Sequence, residues 1–439
     1  MLKSFTDIFK VPELKRRILF TLGVLAVFRL GVAIPVPGID AQALKSFFET
    51  QRHTLFGFLD MFSGGAFSRL SIFSLGIMPY INASIIMSLL QTVVPYLEKM
   101  SKEGELGRRK ITQFTRYGTV LLAAIQSFGL SFMIIQMKAP DGSMVVRVPS
   151  LGFQILTLLT LVTGTIFVMW LGEQITEQGI GNGISLIIFA GIVDRLPASV
   201  KDLFRLLSIE EISLFQILFL IVLVLVITGL VVWVETGQRR VPVQYAKRVI
   251  GRRIYGGQNT YLPIRVDQAG VIAVIFAVSL LSAPLTVAQF FPNLPVAKKI
   301  IEWWTRGHLL YEIIYAGLII FFCYFYTSIV FNPNDLAENM RKWGGFIPGI
   351  RPGEATAKYI ENILNRIILG GAIFVAAIAI LPDFLRAWFK APFFFGGTAL
   401  LIVVGVALDT IGQIESHLIM RHYEGFVKKG RIKGRWFNV

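Results

Sequence analysis

Residues Leu214–Val234 read LFQILFLIVLVLVITGLVVWV, a run that contains no charged side chain. A bilayer core about 30 Å thick is crossed by roughly 20 consecutive apolar residues in a helix, so this stretch predicts a membrane-spanning helix. Of the 439 residues in the chain, 54% are hydrophobic and 16% are charged, whereas a soluble domain averages about 25% charged residues. The composition excludes a soluble multidomain enzyme and predicts a polytopic α-helical membrane protein.

Nine further apolar runs lie on either side of this one, so the sequence predicts ten spans. The predicted spans are Ile18–Val36, Ile72–Val94, Gly118–Met137, Phe153–Leu171, Ile184–Val193, Leu214–Val234, Ala269–Phe291, Leu309–Val330, Ile367–Leu385 and Phe393–Ile414. The fifth run is too short to cross alone, and we expect it to borrow length from residues 174–183. Five spans followed by five of opposite orientation is the arrangement of an inverted repeat, although the two halves share no convincing sequence similarity.

The basic residues are distributed unevenly between the loops. With ten spans and the N-terminus inside, 29 of the 43 Lys and Arg residues lie in cytoplasmic segments and 13 in external loops, and Arg29 lies within the first span. This bias agrees with the positive-inside rule. The sequence therefore predicts a multi-pass protein of the cytoplasmic (inner) membrane with both termini in the cytoplasm.

Residues 55–97 are long enough for two crossings, but two crossings would place six basic residues of the following loop outside. We therefore expect a single crossing preceded by a short re-entrant helix, with breaks at Gly64, Gly65 and Gly76. The charged residues Asp60 and Arg69 require that this segment lie in protein or in a water-lined cavity rather than in lipid. The alternative is an amphipathic helix on the outer surface.

No motif for bond chemistry is present in the sequence. It lacks the signatures of zinc proteases, serine hydrolases and P-loop nucleotide-binding proteins, and its single cysteine and four histidines form no metal-ligand pattern. The glycine-rich run at residues 179–183 follows no strand, which favours a cytoplasmic turn over a phosphate-binding loop. We expect no catalytic site, no metal and no cofactor, and we interpret the intramembrane charges Arg29 and Asp409 as helix-to-helix ties.

Two cytoplasmic loops are large for a carrier of small solutes. Residues 237–265 alternate polar and apolar side chains around a glycine-rich centre, which predicts a projecting hairpin, and residues 331–362 form the second projection. Their basic side chains could bind phosphates such as those of ribosomal RNA. They could equally set topology and contact lipid head groups, and the residues alone leave both interpretations open.

Long motifs spread over nearly the whole chain narrow these alternatives. They are FRLGVAIPVPGID (28–40), MFSGGAFSRLSIFSLGIMPYINASII (61–86), GRRKITQFTRYGT (107–119), LVTGTIFVMWLGEQITEQGIGNGISLIIFAGIV (161–193), GQRRVPVQYAKR (237–248), IPGIRPGEATAKYI (347–360) and PFFFGGTALLIVV (392–404). Together they closely resemble the SecY family, the channel subunits of the bacterial protein-secretion translocase and their counterparts in archaea and the endoplasmic reticulum.

The resemblance implies an all-α membrane protein with ten transmembrane helices in two pseudo-symmetric five-helix halves, which form a clamshell with a re-entrant plug helix. The N-terminal half would be residues 1–200 with the plug at about 57–70, and the C-terminal half residues 201–439 with a basic cytosolic tail at 418–439. Spans two, three, seven and eight would form a lateral gate toward membrane lipid. The implied partners are SecE, SecG, the motor SecA, the ribosome, and signal peptides and preproteins.

Site residues follow from the resemblance position by position. The pore ring, an aliphatic collar that passes any unfolded chain yet can exclude water when idle, would consist of Ile77, Ile81, Ile188, Ile275 and Ile402. The plug would include Phe62, Ser63, Gly64, Gly65, Ala66, Phe67, Ser68 and Arg69. The docking residues for SecA and the ribosome would be Arg240, Lys247, Arg252 and Arg351. Ala273 stands where relatives often have proline, which leaves the bend of span seven open.

The implied function is that of a passive channel that conducts unfolded preproteins and releases transmembrane segments through the lateral gate. The alternative function is a secondary transporter of small solutes. The scarcity of ionisable groups within the spans disfavours that alternative, as do the two basic cytosolic loops.

Overall fold

The computed structural model describes residues 11–40, 43–44, 46, 60, 63–137, 144–146, 150–209, 213–245, 248–250, 253–255, 259–290, 308–389 and 397–429. The principal helices are α1 Pro12–Val32, α2 Met78–Val93, α3 Pro95–Lys102, α4 Glu105–Gln136, α5 Leu151–Gln178, α6 Gly183–Val193, α7 Leu196–Ser208, α8 Leu214–Thr236, α9 Gly270–Phe290, α10 Leu309–Val330, α11 Pro333–Lys342, α12 Glu354–Phe389 and α13 Gly397–Lys429. The strands are β1 Gln238–Tyr245, β2 Arg248–Ile250, β3 Arg253–Tyr255, β4 Asn259–Arg265 and β5 Gly345–Phe346.

The protein is a multi-span helical membrane protein. Within the described ranges, seven helical stretches are long and apolar enough to cross a membrane, and the pair α2 and α3, bent by 99°, would be an eighth. Each of the ten predicted runs overlaps one of the helices α1, α2, α4, α5, α6, α8, α9, α10, α12 and α13. The most apolar of them, α8, is also the least buried inside the protein, which is expected of a helix that faces lipid.

Local side-chain chemistry explains where several helices begin. Ser213 and Gln216 form a reciprocal capping box at the start of α8, and the Asn182 side chain accepts hydrogen bonds from two amides of α6. These caps satisfy amides that have no partner within the helix. Pro79 lies in the first turn of α2, where its fixed φ angle favours the helix, so it starts this helix instead of kinking it.

The prediction that residues 174–183 extend the fifth span was wrong. Residues 174–178 belong to the preceding helix α5, and residues 179–182 form a turn. The additional length instead lies on the C-terminal side, where α6 continues almost directly into α7, and together they span Gly183–Ser208. A glycine-rich turn cannot extend a helix cheaply because glycine loses the most conformational freedom there.

The hairpin predicted for residues 237–265 is confirmed, and the side of the membrane on which it lies stays a prediction. Strand β1 pairs antiparallel with β4 from Gln238 opposite Arg265 to Gln244 opposite Asn259, and β1 also pairs with β5 through Tyr245 and Gly345. Strands β2 and β3 form a separate two-stranded ladder at the tip. Because β5 lies within residues 331–362, the second predicted projection, the two loops share one small sheet.

We divide the helices by chain order into two sets, α1–α7 and α8–α13, which contact each other at two places. Helix α9 packs against α2 and α4, and we call this contact the α9 seam. Helix α13 packs against α6, and we call this contact the α13 seam. Each set also has its own internal packing, of α4 with α2 and α5 in the first set and of α10 with α9 and α12 in the second.

Candidate functional site

The five isoleucines of the expected collar lie in one buried core between the two helix sets. Ile77, Ile81, Ile188, Ile275 and Ile402 are each at most 7% exposed, and all belong to the same apolar cluster. They reach it from α2 and the turn before it, α6, α9 and α13, so both sets contribute. The cluster holds many other aliphatic side chains, and the alignment of these five around a common path stays a prediction.

Most of the described part of the expected plug is buried in the protein, and Arg69 is its exposed residue. Its described part, residues 63–70, forms consecutive turns, in which Ala66 is 0% exposed and Phe67 is 5% exposed. Ala66 contacts the same core as the five isoleucines, whereas Phe67 belongs to a second cluster with residues of α4 and α5. Phe62 lies outside the described residues. The burial favours the protein-lined interpretation over the amphipathic surface helix.

Backbone geometry explains why this segment forms turns rather than a regular helix. Gly64, Gly65 and Gly76 all have positive φ values, of 67°, 85° and 55°. Glycine adopts this region without the steric cost that a side chain brings. The three expected breaks therefore lie where the sequence predicted them, and they allow the chain to enter the bundle and turn back into α2.

The α9 seam contains a polar contact that the sequence analysis did not identify. The Ser279 hydroxyl on α9 donates a hydrogen bond to Oδ1 of Asn82 on α2, and Ser279 is fully buried. Nearby on α4, the buried hydroxyls of Ser127 and Ser131 donate to carbonyls of their own helix, at 2.6 and 2.7 Å. A single Asn within an apolar run was the available signal, but its partner is 197 residues away in the chain.

The α13 seam is built around the glycine-rich turn at residues 179–183. The amide of Gly181 donates to Oε1 of Gln413 on α13 at 2.9 Å, and the amide of Ile180 donates to the Thr21 hydroxyl on α1 at 3.1 Å. Gly181 has a φ of +89°, and a β-carbon there would lie 2.7 Å from Leu186 and 3.2 Å from Thr410. The turn is thus structural, as the sequence favoured, and it joins the two helix sets.

The expected docking residues are only partly described. Arg240 is exposed on β1 and Arg351 is exposed in the turn before α12. The Arg351 carbonyl accepts a hydrogen bond from the Thr356 hydroxyl at 2.9 Å, which fixes this turn to α12. Lys247 and Arg252 lie outside the described residues. Since β1 and β5 pair, the two arginines are carried by one small sheet and the turn that follows it.

Among the described residues there is no group of three or more His, Cys, Asp or Glu that could hold a metal ion. The fold and its two seams define the class: a polytopic helical membrane protein whose two helix sets meet around an apolar core, which a buried turn segment contacts through Ala66.

Comparisons with known proteins identify the family within this class. The SecY family model matches residues 71–411. The protein translocase subunit SecY of Escherichia coli (strain K12) is 50% identical over 425 residues, which cover 96% of this chain and 96% of the relative. The chain therefore belongs to the SecY family of protein translocase subunits, and the small-solute transporter is set aside.

Solved structures with low sequence identity share the fold. A SecY structure, described for a plug domain that stabilises the closed state and maintains a membrane seal, superimposes with a TM-score of 0.66 at 18% identity, with 95% of each chain covered. The channel of the canine ribosome–channel complex from the endoplasmic reticulum superimposes with a TM-score of 0.65 at 17% identity, again with 95% of each chain covered. At these identities the likeness concerns the fold.

Proposed function

We propose that this chain is the pore-forming subunit of a protein-secretion translocon and works as a passive channel for unfolded preproteins. The observation that carries the proposal is the apolar core between the helix sets, in which Ile77, Ile81, Ile188, Ile275 and Ile402 are buried together with the plug residue Ala66. A constriction lined by aliphatic groups offers no specific polar contact to a passing chain. It also resists wetting when empty, which blocks water and ions.

The plug completes the seal in this proposal. Residues 63–70 would occupy the path on the outer side of the collar and leave it when a substrate enters. Because Ala66 contacts the collar cluster and Phe67 contacts a separate cluster beside α4 and α5, the segment bridges two apolar regions at rest. Displacing it exposes both contacts, so opening requires the binding energy of a substrate.

The lateral gate would lie at the α9 seam. Here α9 packs against α2 and α4, and the side-chain hydrogen bond between Asn82 and Ser279 joins the two helix sets. Insertion of a signal peptide between these helices would replace this contact with its own apolar surface. The same opening would release a transmembrane segment into membrane lipid.

The proposed partners are SecE, SecG, SecA and the ribosome. Support comes from the basic cytosolic sheet that carries Arg240 and from the turn that carries Arg351, because a guanidinium binds two carboxylate or phosphate oxygens at once. A structural relative is described in complex with a ribosome. This role requires the sheet to face the cytoplasm, with both chain termini on the same side, as the distribution of basic residues predicts.

The collar proposal is tested by Ile402→Asn, which introduces an amide at a fully buried position of α13. We expect ion conductance of the resting channel in planar bilayers to rise and export of preproteins with defective signal sequences to increase. The matched control is Ile411→Asn, the same change at an exposed position of the same helix, which should alter neither readout. Unchanged conductance and unchanged selectivity of Ile402→Asn would show that the collar is assigned to the wrong residues.

The docking proposal is tested separately by Arg351→Glu. Reconstituted vesicles should contain the variant at normal levels but fail to import preprotein, because the reversed charge repels an acidic or phosphate partner. Arg108→Glu, at an exposed position at the start of α4, is the control outside the two cytosolic projections. Normal import by Arg351→Glu would refute the docking role without affecting the collar.

A further inference from the structure

Two arginines bind the plug segment at the end of the bundle that the charge rule predicts to face outward. Arg29, near the end of α1, donates from Nη1 to the Gly64 carbonyl at 2.9 Å and from Nη2 to the Ala190 carbonyl of α6 at 2.6 Å. Its Nη1 also lies 3.1 Å from Oδ2 of Asp194, which follows α6. One guanidinium thus joins α1, the plug and the end of α6.

The second arginine binds the plug through a buried carboxylate. Asp60 is only 5% exposed and forms an ion pair with Arg195, which stands between α6 and α7. The other Asp60 oxygen, Oδ1, accepts a hydrogen bond from the amide of Ser68 at 2.7 Å. The Asp60 carboxylate therefore closes the plug turn on itself and ties it to the first helix set at the same time.

The backbone of the plug also packs directly on α6, next to Arg29. A β-carbon at Gly64 would lie 2.9 Å from the Cα atom of Gly191 and 3.3 Å from the Arg29 guanidinium. Such a close approach excludes water from the contact. The arrangement holds the plug against α6 by charge as well as by apolar packing.

We propose that Arg29, Asp60, Asp194 and Arg195 form a charged latch that holds the plug in its closed position and sets how strong a signal sequence must be to open the channel. The inference rests on the proposed channel function and assigns these four as positioning residues. Together with α6, they keep the plug seated without lining the substrate path.

Charge suits a latch that must open repeatedly. An apolar contact of similar size loses its hydrophobic stabilisation when the plug moves into water. Two ions that separate into water regain hydration, so a partly exposed ion pair contributes only modest net stability. Asp194 is about half exposed in this structure, and Arg29 and Arg195 are partly exposed. The latch can therefore fix the position of the plug without preventing its release.

The test is a double-mutant cycle on the pair that involves the buried carboxylate. Asp60→Asn keeps an oxygen that can accept the hydrogen bond from Ser68 but removes the charge, and Arg195→Met keeps much of the side-chain volume. Each single variant should raise resting ion conductance and defective-signal export by up to about fivefold, because an ion pair with modest net stability is lost. The double variant should be no worse than either single variant, since both remove the same interaction.

Three further variants make the outcome decisive. Arg205→Met removes a charge from an exposed position of the neighbouring helix α7 and should behave as wild type. Arg195→Lys keeps the charge and should restore most of the seal, which carries the test if Asp60→Asn fails to assemble. Arg29→Met should loosen the seal in the same direction through the other pair.

The result that would overturn the latch is a set of wild-type readouts from all the single variants, or a double variant whose effect is the product of the two single effects. Export of a preprotein with a normal signal sequence is measured in the same vesicles. If wild-type protein fails to export it, the channel function itself is refuted. If wild type exports it and the variants match wild type, only the latch is refuted.

Discussion

The α9 seam and the α13 seam both join the two helix sets, but they are built from different kinds of contact. At the α13 seam the hydrogen bond across the interface uses the main-chain amide of Gly181, in a turn whose neighbouring amide is held by Thr21. At the α9 seam the hydrogen bond joins two side chains, Asn82 and Ser279. Side chains can change rotamer, so both partners at the α9 seam can turn away, whereas at the α13 seam only the acceptor, the Gln413 side chain, can do so.

This difference favours the α9 seam, rather than the α13 seam, as the contact that opens. Parting the α13 seam would leave the Gly181 amide unpaired and would unpack a glycine whose surroundings leave no room for a β-carbon. Parting the α9 seam breaks the described hydrogen bond between Asn82 and Ser279, and hydroxyls in helices can bond to a carbonyl of their own helix, as Ser127 does. We infer that the two sets open at α9 and pivot at α13, as the proposed lateral gate requires.

The largest expected effect comes from fixing each seam covalently. In a Cys323→Ser background, oxidation of Asn82→Cys with Ser279→Cys should lower export by about tenfold or more, because the closed state is then the only accessible one. Ile414 on α13 packs against the small apolar cluster that contains Ile180, and a disulfide between Ile180→Cys and Ile414→Cys should leave export nearly unchanged. Export before and after reduction, with disulfide formation followed by gel mobility, checks both.

Two results would contradict the inference that the helix sets open at the α9 seam and pivot at the α13 seam. If the α13 disulfide blocked export as strongly as the α9 disulfide, both seams would have to move and the pivot would be wrong. If the α9 disulfide formed fully and export continued, the opening would lie elsewhere in the bundle.

A smaller effect is expected from crowding the turn at the α13 seam. Gly181→Ala places a methyl group 2.7 Å from Leu186 in a residue with a φ of +89°, so we expect a loss of about 2 kcal/mol or more in stability. Gly344→Ala is the matched control, because Gly344 has a φ of +70° but open space around it, and it should lose only about 1 kcal/mol. Thermal unfolding in detergent measures both, and equal losses would mean that the turn is not tightly packed.

Removing one hydrogen bond from each seam should affect different properties: the stability of the folded protein at the α13 seam, and the selectivity for signal sequences at the α9 seam. Gln413→Leu leaves the Gly181 amide without its partner and should cost about 1–3 kcal/mol of stability without relaxing signal selectivity. Ser279→Ala should cost less stability but raise defective-signal export several-fold, because it weakens the seam that opens. Unfolding midpoints and export assays on both variants provide the comparison, and relaxed selectivity in Gln413→Leu would argue against a fixed α13 seam.

The sequence predicts the parts of this fold that depend on local patterns. Apolar runs, the breaks at Gly64, Gly65 and Gly76, and the alternation in residues 237–265 each reflect the preference of neighbouring residues, and the structure agrees with all of them. The extension of the fifth span was misjudged because residues 174–183, before the run, carry one charged residue, whereas residues 194–208, after it, carry five. Hydropathy alone does not show on which side of this run the helix continues.

The contacts that define the seams could not be predicted from the same patterns. The Gly181–Gln413 hydrogen bond joins residues 232 positions apart, and the Arg29 contact with Ala190 joins residues 161 apart. Pairing at such separations depends on how the helices pack, and one Gln or Arg in a span has many candidate partners. The tie expected at Arg29 is present, but the sequence indicated neither of the elements that it joins.

The smallest expected effect concerns the start of α9, the helix at which we infer that the two sets open. The Asp267 carboxylate accepts a hydrogen bond from the amide of Gly270 at 2.8 Å, yet burial, aided by the nearby charge of Asp409, raises the pKa of Asp267 above its usual value of 3.8. A raised pKa means that the folded state binds a proton more tightly than the unfolded state does. The contribution of Asp267 to stability is therefore largest below pH 3.8 and is lost as the pH rises through its raised pKa.

Asp267→Asn removes the charge and keeps an oxygen that can accept from Gly270. It should therefore stabilise the protein at pH 7 by about 1 kcal/mol or less, and the gain should shrink as the pH falls toward 4. Asp335→Asn is the control: it removes an exposed carboxylate from the first turn of α11, where negative charge favours the helix, so it should lower stability slightly at pH 7. Unfolding midpoints at pH 4 and pH 7 distinguish the two, and a stability loss in Asp267→Asn at pH 7 would mean that the charged form is the one that holds the start of α9.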